Sequence, residues 1–321
     1  MSARLRASAW GRAAARVASR GAEALLVAWL LASLVFLAMR LLPGDPAALV
    51  LGEQAGEVER ALFRQKLGLD RPLFLQYLSF GRGLLTLDLG DSLRRPGVPA
   101  FEVVAEALGP TAALAGLGVG LGAVIGIGGA VLSVGPWLGA RRAWVHRGAI
   151  ALAALPLVAV APLATWGLAV RLRLVPLPGD PDAGLWGLLF ASSLLALPLG
   201  AVLARIGRAA LLDLGRAQFL DVAAAKGARP ARIYWLHALP VASAPIAAVV
   251  ATQLGALLGG AVVLERLFER PGLGTVMLEA YAARDLPVLE AAVVASGLLF
   301  VLAQTSATAI VAFVDPRGGE A

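Results

Sequence analysis

Six long stretches without a charged residue constrain this chain more than any other feature of its sequence. They are Ala24–Met39, Ala107–Ala140, Gly148–Val170, Ala183–Ala204, Ile233–Leu264 and Ala291–Val314. A helix that crosses a bilayer needs about 20 mostly apolar residues. The two longest stretches, of 34 and 32 residues, are too short for two crossings and a turn. The pattern therefore predicts an all-α polytopic membrane protein with six transmembrane helices.

The composition supports a membrane protein and excludes several other classes. Hydrophobic residues make up 59% of the chain and charged residues only 15%, whereas soluble domains are about 45–50% apolar and about 25% charged. Such a chain cannot cover its own exterior in water, which excludes an ordinary soluble enzyme, a disordered tail and a fibrous protein. The net charge of +7 is better explained by basic loops than by nucleic-acid binding. We expect a lipid bilayer as a partner and no nucleic acid.

The distribution of arginine and lysine predicts the orientation of the helices. The N-terminal segment, the loops after the second and fourth charge-free stretches and the C-terminal tail carry 15 basic residues. The short loops on the opposite side carry five. Because basic residues collect in cytoplasmic loops, both termini are predicted to be cytoplasmic.

The same pattern divides the chain into five segments. These are a cytoplasmic N-terminal segment (1–22), the first transmembrane helix (23–42), an extracytoplasmic segment (43–107), a core with five transmembrane helices (108–314) and a cytoplasmic tail (315–321). In the extracytoplasmic segment, Pro43–Pro46 should turn the chain. Glu57–Leu67 and Leu73–Leu84 have the apolar spacing of amphipathic helices. The segment is therefore predicted to be a small structured element.

The sequence offers no candidate for catalysis or for a metal ion. It has no phosphate-binding loop, no serine-hydrolase or zinc-protease motif, no cysteine and only two histidines, His146 and His237. We therefore expect a chain that is not an enzyme and has no catalytic residue, no metal site and no cofactor.

Ion-coupled transport also has little support in the sequence. A carrier driven by protons or sodium usually places acids or histidines in the bilayer core. Here Glu23, Arg40 and Glu290 lie at the ends of charge-free stretches. Backbone carbonyls remain an alternative site for sodium. The pattern favours an energy source in another subunit.

Two sets of residues inside the spans have both a functional and a packing interpretation. The second span is rich in glycine, including Gly116, Gly118, Gly120, Gly122 and Gly126, and closely spaced small residues let helices approach each other in lipid. We favour packing over a seam between moving parts. Gln253 and Gln304 lie near the midpoints of the fifth and sixth spans, where they are candidates either for lining a pathway or for interhelical hydrogen bonds.

The predicted cytoplasmic loop at 205–239 contains the most informative pattern. Asp221 precedes a run of small residues from Ala223 to Gly227, and Pro230 follows. Small side chains predict a thin helix, Gly227 can end that helix in a left-handed conformation, and Pro230 can begin the next one. Such a segment could fit a groove on a cytoplasmic partner, and a solvated loop explains its composition equally well.

The segment resembles the EAA loop of the permeases of binding-protein-dependent ABC importers, whose core is Glu-Ala-Ala, three residues and Gly. Asp221, Ala223 and Gly227 match the acid, the second alanine and the glycine, whereas Val222 replaces the first alanine. Further motifs resemble the dipeptide, oligopeptide and nickel branch. They are Leu41–Pro46, Lys66–Pro72, Gln76–Tyr77, Leu87–Leu93, Gly260–Glu265, Pro271–Gly274, Arg284–Val288 and Asp315–Arg317.

The resemblance implies the type I ABC importer permease fold and a bacterial-type plasma (inner) membrane. It implies a permease that forms half of a translocation pathway with a second permease, which would be a different chain. Two ABC ATPase subunits and an extracytoplasmic solute-binding protein would complete the importer. By resemblance, Asp221, Ala223, Ala224 and Gly227 couple the permease to the ATPase, and Lys226 is a contact at the rim.

Three alternatives remain open at this point. Peptides are the favoured substrate, while an ABC permease for nickel or another small solute is the alternative within the family. An ion-coupled secondary transporter would need no ATPase. A membrane protein that does not transport would bind partners without substrate-dependent ATP hydrolysis.

Overall fold

The structure is a computed structural model that describes residues 2–41, 47, 51, 55–215 and 217–314. Side chains are described between 21 and 307, apart from those gaps and residues 24 and 66. The predicted turn at Pro43–Pro46 and the predicted tail at 315–321 lie outside the described residues. Within the described ranges, the structure is helical and contains no β-strand, only a single bridge between Asp91 and Pro99.

Twelve helices follow one another along the described chain. They are α1 (Ser2–Leu41), α2 (Glu57–Lys66), α3 (Leu73–Thr86), α4 (Ala100–Val134), α5 (Arg142–Ala154), α6 (Leu157–Ala164), α7 (Gly184–Leu214), α8 (Gln218–Ala225), α9 (Pro230–Arg232), α10 (Leu239–Leu267), α11 (Leu273–Ala283) and α12 (Leu286–Val314). Pro136–Arg141 and Pro181–Ala183 form 3₁₀ turns, and Thr165–Arg171 and Ile233–Ala238 form π turns. The helices α2 and α3 confirm the two amphipathic helices predicted in the segment 43–107.

Five helical stretches of the described chain are long and apolar enough to cross a membrane. They are Gly21–Leu41, Ala100–Val134, Pro181–Leu214, Pro230–Leu267 and Leu286–Ala307. A sixth crossing exists if the bent pair Pro136–Ala154 and Leu157–Arg171 is counted as one span. The predicted number of six includes this pair.

The predicted third span, Gly148–Val170, is not one continuous helix as expected. It is bent by 107° between α5 and α6. Leu155 there has an extended backbone, with φ −87° and ψ 127°. Pro156 explains the break, because proline has no N–H to donate and disfavours a helical conformation in the residue before it. A count of charges along the sequence does not detect this break.

The helices belong to two compact units, which we describe separately. The first contains the described residues of Met1–Gly109 and Pro271–Thr305, and the second those of Pro110–Arg270 and Ser306–Ala321. In the first unit, Phe36 of α1 is 1% exposed and packs between Tyr77 and Phe80 of α3, with ring centroids 5.4 and 5.2 Å away. A second cluster joins α4, α11 and α12 through buried residues that include Val104, Leu273 and Leu289.

The core of the second unit is built around α7. Leu195, Leu199 and Leu203 of α7, four residues apart, are almost completely buried. They face Gly118, Gly122 and Gly126 of α4 in the same order. A Cβ added at Gly118 or Gly122 would come within 2.8 or 2.7 Å of a leucine methyl group. We call these six residues the glycine–leucine seam, and they support the packing interpretation of three of the five glycines.

The other two glycines of the predicted set lie elsewhere on α4. A Cβ added at Gly116 or at Gly120 would have no neighbour within 4 Å. Consecutive turns of a helix bring residues four apart to the same face, so only one of the two sets can point at α7. The sequence shows the glycines but does not show which set faces a neighbouring helix.

Candidate functional site

The predicted coupling segment, by which we mean residues 218–230, forms a short helix followed by a tight reversal of the chain. Gln218–Ala225 is helical. Gly227 then adopts the left-handed conformation with φ +78°. The N–H of Gly227 donates to the Ala224 carbonyl at 2.9 Å, and the N–H of Ala228 donates to the Ala223 carbonyl at 3.1 Å. This pair of bonds is a Schellman cap, as the glycine at this position predicts.

The chain leaves the reversal through a proline, as predicted. Arg229 is extended and Pro230 is the first residue of α9. The π turn Ile233–Ala238 then leads directly into α10. Tyr234 in this turn packs edge-on against Trp137, with ring centroids 5.6 Å apart. Only residues 226–229 therefore separate α8 from the helical residues that lead into α10.

The five predicted coupling residues are not all presented in the same way. Asp221, Ala224, Lys226 and Gly227 are exposed, whereas Ala223 is half-buried. Leu220, one turn before Ala223, is 9% exposed and belongs to the core of the second unit. Leu220 and Ala223 thus hold the helix against its own unit, and the remaining four residues are accessible to a partner.

Sequence reasoning missed two apolar residues on the accessible side of α8. Phe219 is 43% and Val222 is 52% exposed. They are three residues apart and therefore share one face of the helix. Exposed aromatic and aliphatic side chains next to charged ones are typical of protein interfaces. The sequence did contain a signal for this face: Phe219 and Val222 lie on a different side of the helix from the buried Leu220.

The two predicted pathway glutamines lie inside membrane-spanning helices. Gln253 belongs to α10 and the second unit, and Gln304 to α12 and the first unit; both are half-buried. A role in a pathway stays a prediction. Among the described residues, no three histidine, cysteine, aspartate or glutamate side chains come together as a metal site requires.

A buried ion pair joins α1 and α12 in the first unit. Arg40 binds Glu290, and the two side chains are 21% and 7% exposed. The Nε of Arg40 also donates to Gln76 at 3.4 Å, and its guanidinium carbon lies 3.9 Å from the ring centroid of Phe36. Gln76 in turn donates to the carbonyl of Arg71 at 2.8 Å. Two of the recognised motifs, Lys66–Pro72 and Gln76–Tyr77, are thus in contact with each other.

A second polar cluster of the first unit joins two further recognised motifs. Ser92 and Asp285 are 4% and 3% exposed, and the Ser92 hydroxyl donates to the Asp285 carboxylate at 2.5 Å. The other carboxylate oxygen accepts the N–H of Val288 at 3.5 Å, so Asp285 caps the first turn of α12. We call the contact between Ser92 and Asp285 the loop clasp. Because Ser92 and Asp285 are 193 residues apart in the chain, local sequence patterns could not predict this contact.

The family of the chain follows from its similarity to known proteins. Residues 118–318 match the model of the binding-protein-dependent transport system inner membrane component, and residues 16–100 match the model of its N-terminal region. The first match alone covers more than half of the chain. The chain belongs to this family. It is an inner membrane permease component of an importer that depends on a binding protein.

Curated relatives of this permease match over most of its length. A "probable peptide ABC transporter permease protein" of Sinorhizobium fredii is 30% identical over 88% of this chain and 92% of its own. The glutathione transport system permease protein of Pectobacterium atrosepticum is 32% identical over the same shares. The protein of the same name from Salmonella choleraesuis is 34% identical over 89% and 93%.

A solved structure shows the fold of the permease. The inward-facing MetNI methionine ABC transporter matches with a TM-score of 0.54 at 20% identity, over 66% of this chain and 96% of the matched chain. The predicted type I ABC importer permease fold is confirmed.

Proposed function

We propose that this permease imports peptides in a complex with separate ATPase subunits, and that α8 and Gly227 transmit the ATPase cycle to the membrane helices. The single observation that carries the proposal is the exposed helix α8 with its Schellman reversal, joined to α10 through α9 and the π turn. Relatives named for peptide and glutathione transport support the choice of substrate.

The proposed assembly contains two ATPase subunits, a second and different permease chain, and an extracytoplasmic solute-binding protein. In this assembly the permease forms half of the translocation pathway and hydrolyses no ATP itself. The absence of a phosphate-binding loop from the sequence supports an ATPase on another chain.

The shape of the coupling segment supports docking into a groove. Ala224 and Gly227 are exposed and small, so a partner surface can approach the backbone of the segment closely. A Cβ added at Gly227 would meet nothing within 4 Å inside this chain. A large side chain at this position would meet no neighbour in this chain and would obstruct the partner, and the left-handed φ of +78° would add about 1–2 kcal/mol of backbone strain.

The assembly is tested by purifying the tagged permease in mild detergent from its native host and identifying the proteins that copurify. We expect an ATPase, a second permease and a secreted binding protein. ATP hydrolysis stimulated by the binding protein loaded with peptide would support import of peptides. Stimulation by the binding protein loaded with nickel alone would assign the complex to the alternative substrate.

The coupling role is tested by Gly227→Trp in the reconstituted complex. We expect stimulated ATP hydrolysis to fall about tenfold or more, which corresponds to roughly 1.4 kcal/mol lost at the interface. The matched control is Gly97→Trp, since Gly97 also has a positive φ of 82° and open space around it. Normal stimulation in Gly227→Trp, or an equal loss in the control, would contradict the coupling role.

The proposed orientation places 97 outside the cytoplasm and 225 inside it. Because the chain has no cysteine, Gly97→Cys and Ala225→Cys each provide a single site for a maleimide that does not cross membranes. In intact spheroplasts we expect labelling at position 97 and none at position 225. The reverse result would invert the topology.

A further inference from the structure

A cavity of about 250 Å³ lies next to the loop clasp, inside the first unit. Its lining includes Arg94, Arg95, Glu279 and the valines Val276 and Val288. Pockets for drug-sized ligands usually measure about 300–1,000 Å³. This cavity therefore suits a small ligand or one end of a longer one.

The side chains of Arg94, Arg95 and Glu279, which line the cavity, are all exposed to solvent. Within the described parts of the chain, the guanidinium of Arg94 and the carboxylate of Glu279 make no hydrogen bond or ion pair. Arg95 has an ion-pair contact with Glu106 at 4.0 Å, and both side chains are more than half exposed. Exposed pairs of this kind contribute little, so Arg95 remains available to a ligand.

The loop clasp fixes the backbone from which both arginines extend. The N–H groups of Arg94 and Arg95 donate to the Ser92 hydroxyl at 3.2 and 3.0 Å. The Arg94 N–H also approaches the Asp285 carboxylate at 3.3 Å. A site held in this way loses less conformational freedom when a ligand binds. The cavity thus combines two cations on a fixed loop, the exposed carboxylate of Glu279, the carboxylate of Asp285 that is bonded to this loop, and a few apolar side chains.

We propose that this cavity binds the free carboxyl-terminal end of a short zwitterionic peptide, an inference that rests on the proposed transport of peptides. Arg94 and Arg95 bind the terminal carboxylate by charge-assisted hydrogen bonds. Val276 and Val288 contact the last side chain of the peptide. Glu279 attracts the peptide ammonium and disfavours ligands of net negative charge.

The same arginines would attract an acidic side chain of a partner protein, and the cavity itself favours the peptide. Because Glu279 is unpaired and lines the same space, it would repel an acidic protein surface. The recess of about 250 Å³ also has room for a single chain end, which a flat protein surface would not fill. The test must therefore distinguish binding of a peptide from binding of a partner protein.

The test uses a single cysteine as a reporter in the purified complete complex. Ala283→Cys places a thiol in the wall of the cavity, and this chain has no other cysteine. The rate of maleimide labelling of this chain is measured by mass spectrometry, with and without an equimolar library of tripeptides with free termini. The control reporter is Ser79→Cys, in a separate cavity of the first unit lined by Arg40 and Arg71.

We expect the free tripeptides to slow labelling at position 283 and not at position 79, and the same library with amidated carboxyl termini to have no effect. Arg94→Ala should raise the concentration for half-maximal protection about tenfold, as the loss of a charge-assisted hydrogen bond predicts. Arg71→Ala, which removes an arginine from the control cavity, should leave that concentration unchanged.

Equal protection by amidated tripeptides, or unchanged protection in Arg94→Ala, would overturn the carboxylate site. Protection by the unloaded binding protein alone would assign the arginines to a protein partner instead. The same preparation is assayed for ATP hydrolysis stimulated by the loaded binding protein. If the loaded binding protein stimulates ATP hydrolysis but the tripeptides do not slow labelling at position 283, the peptide site is disproved and the proposed function stands. If the tripeptides slow labelling but ATP hydrolysis is not stimulated, the proposed function is disproved and the peptide site stands.

Discussion

The two units of this permease are stabilised by different kinds of contact. In the first unit, α1, α12 and the loop before α4 are joined by an ion pair and by hydrogen bonds to buried carboxylates, at Glu290 and Asp285. In the second unit, α4 and α7 interlock through glycines and leucines. Polar contacts depend on charge and tolerate some change in volume, whereas the seam depends on volume alone. Different kinds of substitution should therefore destabilise the two units.

The largest effect is expected in the first unit, for Glu290→Met. This change leaves the charge of Arg40 partly buried and without its carboxylate, at a cost of about 3 kcal/mol. Gln76 and Phe36 remain as partners of the guanidinium. The double variant Arg40→Met/Glu290→Met should recover at least half of the lost stability, because an apolar pair can replace a buried ion pair.

Thermal unfolding in detergent, followed by size exclusion, measures this double-mutant cycle. If the loss of stability in the double variant equals the sum of the losses in the two single variants, the side chains do not interact and the ion pair has no role in stability.

In the second unit, Gly122→Leu should destabilise the permease by about 2 kcal/mol, since overpacking a tight core typically costs 1–3 kcal/mol. The added side chain would enter the space occupied by Leu199. Gly120→Leu is the matched control, two residues away on the same helix and open on its outer side. Equal melting temperatures for the two variants would show that the seam does not determine stability.

A smaller effect is expected for Ser92→Ala in the first unit, about 1 kcal/mol for the lost hydrogen bond to Asp285. The hydroxyl also accepts two backbone N–H groups, so the loop after it should become more mobile. Hydrogen exchange should increase in residues 92–98, with little change in α12, which retains its cap from Asp285. Exchange that increases across all of α12 instead would show that the clasp stabilises the helix rather than the loop.

The local features of both units could be predicted from the sequence. Charge-free length predicted the number of spans, and Gly227 with Pro230 predicted the reversal of the coupling segment, because each depends on residues close together in the chain. Pro156 was also a local signal for the break in the third span, and the absence of charged residues does not show it. The helices α2 and α3 were predicted from apolar spacing for the same reason.

Features that join distant parts of the chain could not be predicted in this way. The contacts of Arg40 with Glu290 and of Ser92 with Asp285 span 250 and 193 residues. Likewise, Gly116, Gly118, Gly120, Gly122 and Gly126 look equivalent in the sequence until the leucines of α7 distinguish 118, 122 and 126 from 116 and 120. The exposed pair Phe219 and Val222 differs from these contacts, because its spacing of three residues is a local signal that the small residues of α8 do not carry.

The π turn at Ile233–Ala238 has a consequence for how this chain can change in evolution. A π turn closes over five residues where an α turn closes over four, so it holds one residue more than a regular helix would. Because that extra residue is taken up within the wide turn, deleting a single residue there would restore a regular helix into α10 with little change in the orientation of the residues on either side. The turn therefore allows the loss of one residue without turning α8 about the axis of α10. A single-residue deletion should be tolerated better at this turn than in the middle of α10, where it would rotate one half of the helix against the other by about 100°.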